Sequence, residues 1–158
     1  MFFLVRHADA GDKRRWSGKD SERPLSPRGR SQADAVGDLI AGFGATRLLS
    51  SPYLRCVQTL VPVTQRTGRP VETRAELAVG ARAQAVLGLL DHHDTDGMVL
   101  CTHGETFNAL SREWERSRRV DVVSPGREAS LAGTPKGGIW VVDDYHGSAP
   151  KALFIPPG

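Results

Sequence analysis

The sequence predicts an α/β protein, a three-layer α/β/α sandwich around a mainly parallel sheet. Three observations carry this. Short apolar runs alternate with segments of helical periodicity through most of the 158 residues, Ser-Pro pairs open two of the helical segments, and a Gly- and Pro-rich stretch precedes a hairpin-like end. A chain of this length suits one core, and no internal repeat or linker is visible. Residues 1–158 are therefore expected to form a single domain.

Residues 2–6, Phe-Phe-Leu-Val-Arg, read as a short buried strand, and the polar stretch Ala8 to Pro24 as irregular chain. Ser26-Pro27 opens a helix with serine as N-cap and proline at the first helical position. Ala33, Val36, Ile40 and Phe43 give that helix one apolar face, and Gly42 and Gly44 end it. Arg47 to Ser50 is a second strand. Ser51-Pro52 repeats the helix-start signal, with Leu54, Val57 and Val61 as the expected buried stripe and Pro62 expected to kink or end the helix. A weaker strand is read around Val71 to Thr73, then a helix from Ala81 to Asp91 carrying Ala85, Val86, Leu89 and Leu90. Met98 to Thr102 is the clearest buried strand, and Gly104 to Arg116 the helix after it. Ser124 to Gly138 reads as a loop. Ile139 to Val142 and Ala152 to Ile155 read as two strands joined through Asp144-Tyr145-His146-Gly147.

Hydrophobic residues are 39% and charged residues 25%, a balance that excludes disorder and collagen-like repetition. No apolar run approaches the roughly 20 residues of a membrane helix. The first residues lack a basic leader, an apolar stretch and a small-residue cleavage site, so a cytoplasmic protein is expected. Cys56 and Cys101 sit among apolar neighbours, which favours free, reduced thiols. The net charge of +3, with a sequence pI near 9.2, suits an anionic ligand or simply a solvated surface.

In open parallel sheets, ligands bind beyond the carboxyl ends of the strands. Arg6-His7 ends the first strand and His103-Gly104 the fourth, Arg55 lies one turn into the helix after the second, and Glu76 follows the third. All four fall at the same edge. Two histidines and two arginines there suit phosphoryl transfer. Arginine presents a planar, permanently charged fork to phosphate oxygens. Neutral imidazole is a competent nucleophile near neutral pH, and a second imidazole can donate to the charge that builds on the transferring group. Helix N-termini at Pro52 and Gly104 would add backbone donors. Each residue alone has a plainer reading: a loop histidine, a surface arginine, an exposed loop acid. The joint pattern favours the site.

The same residues resemble the histidine phosphatase superfamily, whose signature of Arg-His-Gly/Ala after the first strand matches Arg6-His7-Ala8. Its second block, Ser-x-x-x-Arg-x-x-x-Thr, matches Ser51 to Thr59 around Arg55, and its late His-Gly block matches His103-Gly104-Glu105. Arg23-Pro24-Leu25-Ser26 with Arg28-Gly29 is similar to the family's approach to its first long helix. The resemblance implies a phosphoglycerate mutase-like fold of the superfamily's branch 1. It implies that His7 takes the phosphoryl group and that Arg6, Arg55 and His103 line the phosphate pocket, with Gly104 and Arg23 also binding substrate. It implies no metal and no cofactor. The short stretch between Thr59 and His103 resembles the compact SixA-type phosphohistidine phosphatases. The tail Pro135 to Trp140 is similar to the phosphatase domain fused to Nudix hydrolases, although no Nudix box is present. The expected substrate is a phosphohistidine protein or a phosphorylated small molecule. Glu76 stands near the place where relatives acting on alkyl phosphates keep a proton donor, and it is either that donor or an exposed acid.

Other features divide between two readings. His92-His93 fits the negative end of a helix better than a metal site. Lys13-Arg14-Arg15-Trp16 either frames a substrate entrance or is a solvated loop. Neither cysteine has an arginine six residues on, since Phe107 follows Cys101 and Pro62 follows Cys56 at that offset, so a cysteine phosphatase is excluded. A module that binds a phosphorylated ligand without turnover would have little reason to hold His7 beside His103. A nucleic-acid partner is disfavoured because aromatics are only 6% and basic residues are mixed with acids. Nothing in the sequence sets the oligomeric state.

Overall fold

A computed structural model describes residues 1–123 and 130–158. Short runs, most of them rich in apolar or β-branched residues, form the strands: β1 (Phe2–Arg6), β2 (Arg47–Ser50), β3 (Val71–Thr73), β4 (Met98–Thr102), β5 (Asp121–Val123), β6 (Ile139–Asp143) and β7 (Lys151–Ile155). Among the described residues these make one sheet in the order β3-β2-β4-β1-β6-β7-β5. The β3-β2-β4-β1 half is parallel; β6 runs antiparallel to both β1 and β7, and β5 pairs parallel with β7.

Alternate residues of β1 face opposite layers. Phe2 and Leu4 pack with Leu100, Trp140 and Val142 under α3 (Ala83–Asp91) and α4 (Gly104–Ser117). Phe3 and Val5 pack with Leu48, Val99 and Cys101 under α1 (Pro27–Ala41) and α2 (Leu54–Thr67). Burial on both faces is why β1 and β4 read as unbroken apolar runs. Each fully buried large side chain contributes about 1.5–3 kcal/mol. This is the three-layer, mainly parallel architecture that the sequence predicts.

Helix starts and stops follow local chemistry. Ser26 caps α1 by accepting a hydrogen bond from the Gly29 N–H at 3.0 Å, with Pro27 at the first helical position. Gly29 is required: a Cβ there would lie 1.9 Å from the Asp9 carbonyl oxygen.

The expectations for α2 need three corrections. It begins at Leu54 rather than at Pro52, so no helix N-terminus stands at Pro52 and Arg55 is its second residue. Pro62 does not end it: the helix continues to Thr67, where Gly68 at φ 73° closes it through an N–H to the Thr64 carbonyl at 2.8 Å. Gly37 of α1 lets the two helices pack closely at the proline, since a Cβ there would be 2.7 Å from the Pro62 Cβ. The buried stripe is also rotated. Arg55, Cys56, Thr59, Leu60 and Val63 face inward, while Val61 is 39% exposed. Apolar periodicity misplaces this face because Arg55 and Thr59 turn polar groups inward.

Smaller differences are local. Phe43 lies beyond the end of α1 and is half exposed, leaning on Phe3 at 5.5 Å between ring centroids. In α3, Ala83 takes the buried position expected of Ala85. Strand β5 was not foreseen; it is three residues long, at the sheet edge, and half exposed. The expected loop from Ser124 lies outside the described residues up to 129, and residues 130–138 are turns and irregular chain. No helix among the described residues is long and apolar enough to cross a membrane.

Candidate active site

Strand register builds the site. In the parallel β1–β4 pair, Arg6 stands opposite Thr102. The next residue of each strand is therefore a histidine, and His7 and His103 come side by side with ring centroids 5.3 Å apart. The His7 N–H donates to the Thr102 carbonyl at 3.0 Å and continues the ladder one step. Ser50 stands opposite Cys101 on the other side of β4, and Ser51 leaves β2 beside His103. The second residue of α2 then brings Arg55 over both imidazoles.

His7 is 5% exposed. Its Nδ1 is 2.8 Å from the Ala8 carbonyl oxygen, which only accepts, so Nδ1 carries the ring proton. That leaves the Nε2 lone pair directed into the pocket, where it accepts from the Arg55 Nε–H at 3.3 Å. Burial pushes the His7 pKa down from 6.5 to about 3; the Ala8 bond opposes this, and the neighbouring charges of His103, Arg55 and Arg6 add to it. The ring is neutral at physiological pH.

Arg55, 4% exposed, is held from behind. It donates from Nη1 to the Asp20 carbonyl at 2.9 Å and from Nη2 to Asp20 Oδ2 at 3.2 Å. The Tyr53 ring lies 4.9 Å from its Cζ and 5.0 Å from the His103 ring. Asp20 also accepts from Arg23 Nε at 3.1 Å. Burial raises the Asp20 pKa, but the bonds from Arg23 and Arg55 and their charges outweigh it, so the carboxyl sits below its usual value. Arg23 further donates from Nη1 to the Ala10 and Gly11 carbonyls at 2.8 and 3.2 Å, strapping the chain after β1 against the site.

Arg6 donates from Nη1 to the Thr134 carbonyl. Its Nε is buried without a partner, and a Cβ at Gly104 would come within 3.0 Å of its Cζ. An ordinary side chain at Gly104 would crowd this guanidinium, and α4 opens there. His103 Nε2 lies 2.8 Å from Ser51 Oγ, and its Nδ1 is 3.5 Å from Arg55 Nη2. These groups surround a cavity of about 140 Å³ lined by five cations, Arg6, Lys13, Arg23, Arg55 and Lys136, against two carboxylates, Asp20 and Glu105. A buried, cation-rich pocket with an unpaired guanidinium N–H suits a small anion such as phosphate.

The structure thus brings together His7, Arg6, Arg55, His103, Gly104 and Arg23. It does not bring in Glu76, which sits on a short 3-10 turn outside the lining and pairs with Arg74 at 2.9 Å. Hydrogen bonds from Arg74 hold the Glu76 carboxyl below its usual range. Asp20, Lys136 and the Thr134 carbonyl were missed by the sequence reading. Asp20 gave no signal in a polar stretch, and Lys136 reaches the pocket only through the fold, where it donates to Asp9 at 3.0 Å. His92 and His93 each place Nδ1 2.9 Å from a carbonyl of the last turn of α3, Gly88 and Leu89. Among the described residues, no three His, Cys, Asp or Glu side chains come together as metal ligands.

Comparison with known proteins agrees with this geometry. Residues 2–78 match the histidine phosphatase superfamily, branch 1. An 8-oxo-(d)GTP phosphatase of Mycolicibacterium smegmatis is 34% identical over 160 residues, covering 98% of this chain and 47% of the relative. The chain therefore spans about half the length of that relative. Among solved structures, a candidate phosphohistidine phosphatase SixA from Agrobacterium tumefaciens superposes with a TM-score of 0.75 at 23% identity, over 99% of this chain and 97% of the other. The protein histidine phosphatase SixA bound to tungstate gives 0.68 at 23% identity, over 98% and 93%. The chain belongs to the histidine phosphatase superfamily.

Proposed function

We propose that this chain is a phosphatase that works through a phosphohistidine on His7 and uses no metal. The carrying observation is the convergence of a neutral, buried His7 with Arg6, Arg55 and His103 in one cationic pocket. In this reading His7 Nε2 attacks phosphorus in line, and the bond to the leaving group breaks with its electron pair departing opposite. As the substrate enters, Arg55 keeps its proton and its Nε–H turns its hydrogen bond from His7 Nε2 to a phosphate oxygen, freeing the Nε2 lone pair. In this reading Ser51 Oγ, which accepts from the Tyr53 N–H at 3.2 Å, donates its own hydrogen to His103 Nε2 at 2.8 Å. The His103 proton is then on Nδ1, facing the Arg55 guanidinium as two donors that want an anion between them. Water then attacks the phosphohistidine, the N–P bond breaks, and neutral His7 returns with phosphate.

The substrate preference follows from how few carboxylates the pocket offers. An alkoxide leaves poorly without a proton, and general acid help is typically worth about 10²–10⁴-fold. Glu76 is tied to Arg74 outside the pocket and two arginines hold Asp20 below its usual range, which leaves Glu105 as the one other carboxylate in the lining. We therefore favour an activated phosphoryl donor, a phosphohistidine or the phosphoanhydride of a small molecule, over an alkyl monoester. Similarity to the 8-oxo-(d)GTP phosphatase supports the anhydride; the compact chain between Thr59 and His103 supports the phosphohistidine. Turnover across a phosphohistidine peptide, nucleoside triphosphates and alkyl phosphates tests the proposal. Binding without turnover of any donor would leave a phospho-ligand-binding module in its place.

A further inference from the structure

Beside the phosphate pocket lies a shallower depression of about 250 Å³, and Arg23 forms part of the wall of both. Ala10, Pro24 and Leu25 give it an apolar floor, while Arg15 and the indole of Trp16 stand at its side. Trp16 is 37% exposed, whereas Trp114 and Trp140 are buried at 1% and 0%. Yet Trp16 is not loose. Its Nε1–H donates to the Lys19 carbonyl at 2.8 Å, and Gly18 packs so near that a Cβ there would lie 3.1 Å from the ring. The segment carrying it is fastened to the active site at two further points, Arg23 to the Ala10 carbonyl and Asp20 to Arg55. An exposed indole already fixed in orientation loses little further freedom when a ring stacks on it.

We infer that this depression is a leaving-group subsite that takes a planar heteroaromatic ring of the nucleobase class, joined to the phosphoryl group in the neighbouring pocket. The inference rests on the phosphatase reading of that pocket. Trp16 offers a stacking face, and Arg15 a planar cation that suits electron-rich rings. Lys13 and Lys136 line the adjoining pocket, where they can meet phosphates between the ring and the transferred group. A bare acyl or amino phosphate would reach none of the Trp16 side.

The fluorescence test does not depend on turnover. Trp16 is the exposed indole, so a nucleoside triphosphate added to His7→Ala protein should quench tryptophan emission, and the quench should vanish when Trp16→Phe is added. Base–aromatic stacking sets the expected kinetic size: the ratio of kcat/KM for a nucleoside triphosphate to that for acetyl phosphate should fall about tenfold in Trp16→Ala and largely recover in Trp16→Phe. Arg15→Ala, also on the surface, should lower the same ratio by a smaller factor. An unchanged ratio together with no quenching overturns the subsite while leaving the phosphatase intact. No turnover of any donor, acetyl phosphate included, overturns the phosphatase reading instead, and the quench then decides the subsite alone.

Discussion

The Arg55 Nε–H points at His7 Nε2 across 3.3 Å, while Asp20 holds the other end of the same guanidinium. The proposed nucleophile and the arginine proposed to bind phosphate are thus joined before any substrate arrives, and Asp20 fixes the joint. Arg55→Lys keeps the charge but loses the fork and the Nε–H, so kcat/KM should fall on the order of 100-fold. Asp20→Asn keeps an acceptor and loses the ion pair, so a smaller loss is expected, roughly tenfold and carried by KM as the guanidinium wanders. Steady-state kinetics of both variants check this, and equal losses would contradict it.

The titration of His7 should be displaced downward. Its folded pKa is about 3 against an ordinary value of 6.5, chiefly through burial. In histidine ring NMR of the free protein, the His7 signal should not move between pH 8 and about 4.5. The unfolded chain takes up this proton below about pH 6.5 and the native state does not, so His7 leaves stability untouched above that pH and lowers it as pH falls toward 3. A midpoint near 6.5 would contradict the burial argument.

Ser51 should orient His103. The pair lies at 2.8 Å, and losing the serine hydroxyl frees His103 to carry its proton on the wrong nitrogen. Ser51→Ala should lower kcat about tenfold or more with KM little changed, because the His103 donor matters most as charge builds in the transition state. A pure KM effect would assign Ser51 to substrate binding instead.

Much of this site was legible in the sequence because strand ends are. Two apolar runs ending in Arg6-His7 and Thr102-His103 place two imidazoles side by side once β1 and β4 pair in parallel, and parallel pairing follows from alternation of strands and helices. What could not be read depended on contacts between distant segments. Asp20 acquires its place only when the chain after β1 folds back over α2. The face of α2 was misread because Thr59 is buried for its hydroxyl, which accepts from the Ala8 N–H at 3.0 Å and donates to the Arg55 carbonyl at 2.6 Å. Hydrophobic periodicity has no way to count such a residue as inward. Pro62 does not stop its helix, which runs on to Thr67 with Gly37 of α1 packed against the proline.

The carboxylates separate the substrate classes. Glu76 is outside the pocket and paired with Arg74, so Glu76→Gln should leave turnover of activated phosphates within about twofold. Glu105 lines the pocket on the first turn of α4 and is the control, since any alkyl phosphate turnover that needs a carboxylic acid should fall in Glu105→Gln. Robust alkyl phosphate hydrolysis that collapses in Glu76→Gln would reject the preference for activated donors.

The central claim is that phosphate passes through His7. Wild-type protein mixed briefly with a ³²P-labelled donor, quenched in alkali and digested, should yield a labelled peptide containing His7. The label should be stable to alkali and lost in acid. His7→Ala should carry no label and show no turnover, with an unchanged circular dichroism spectrum. Turnover near the wild-type rate in His7→Ala, or label on another residue, would contradict the account.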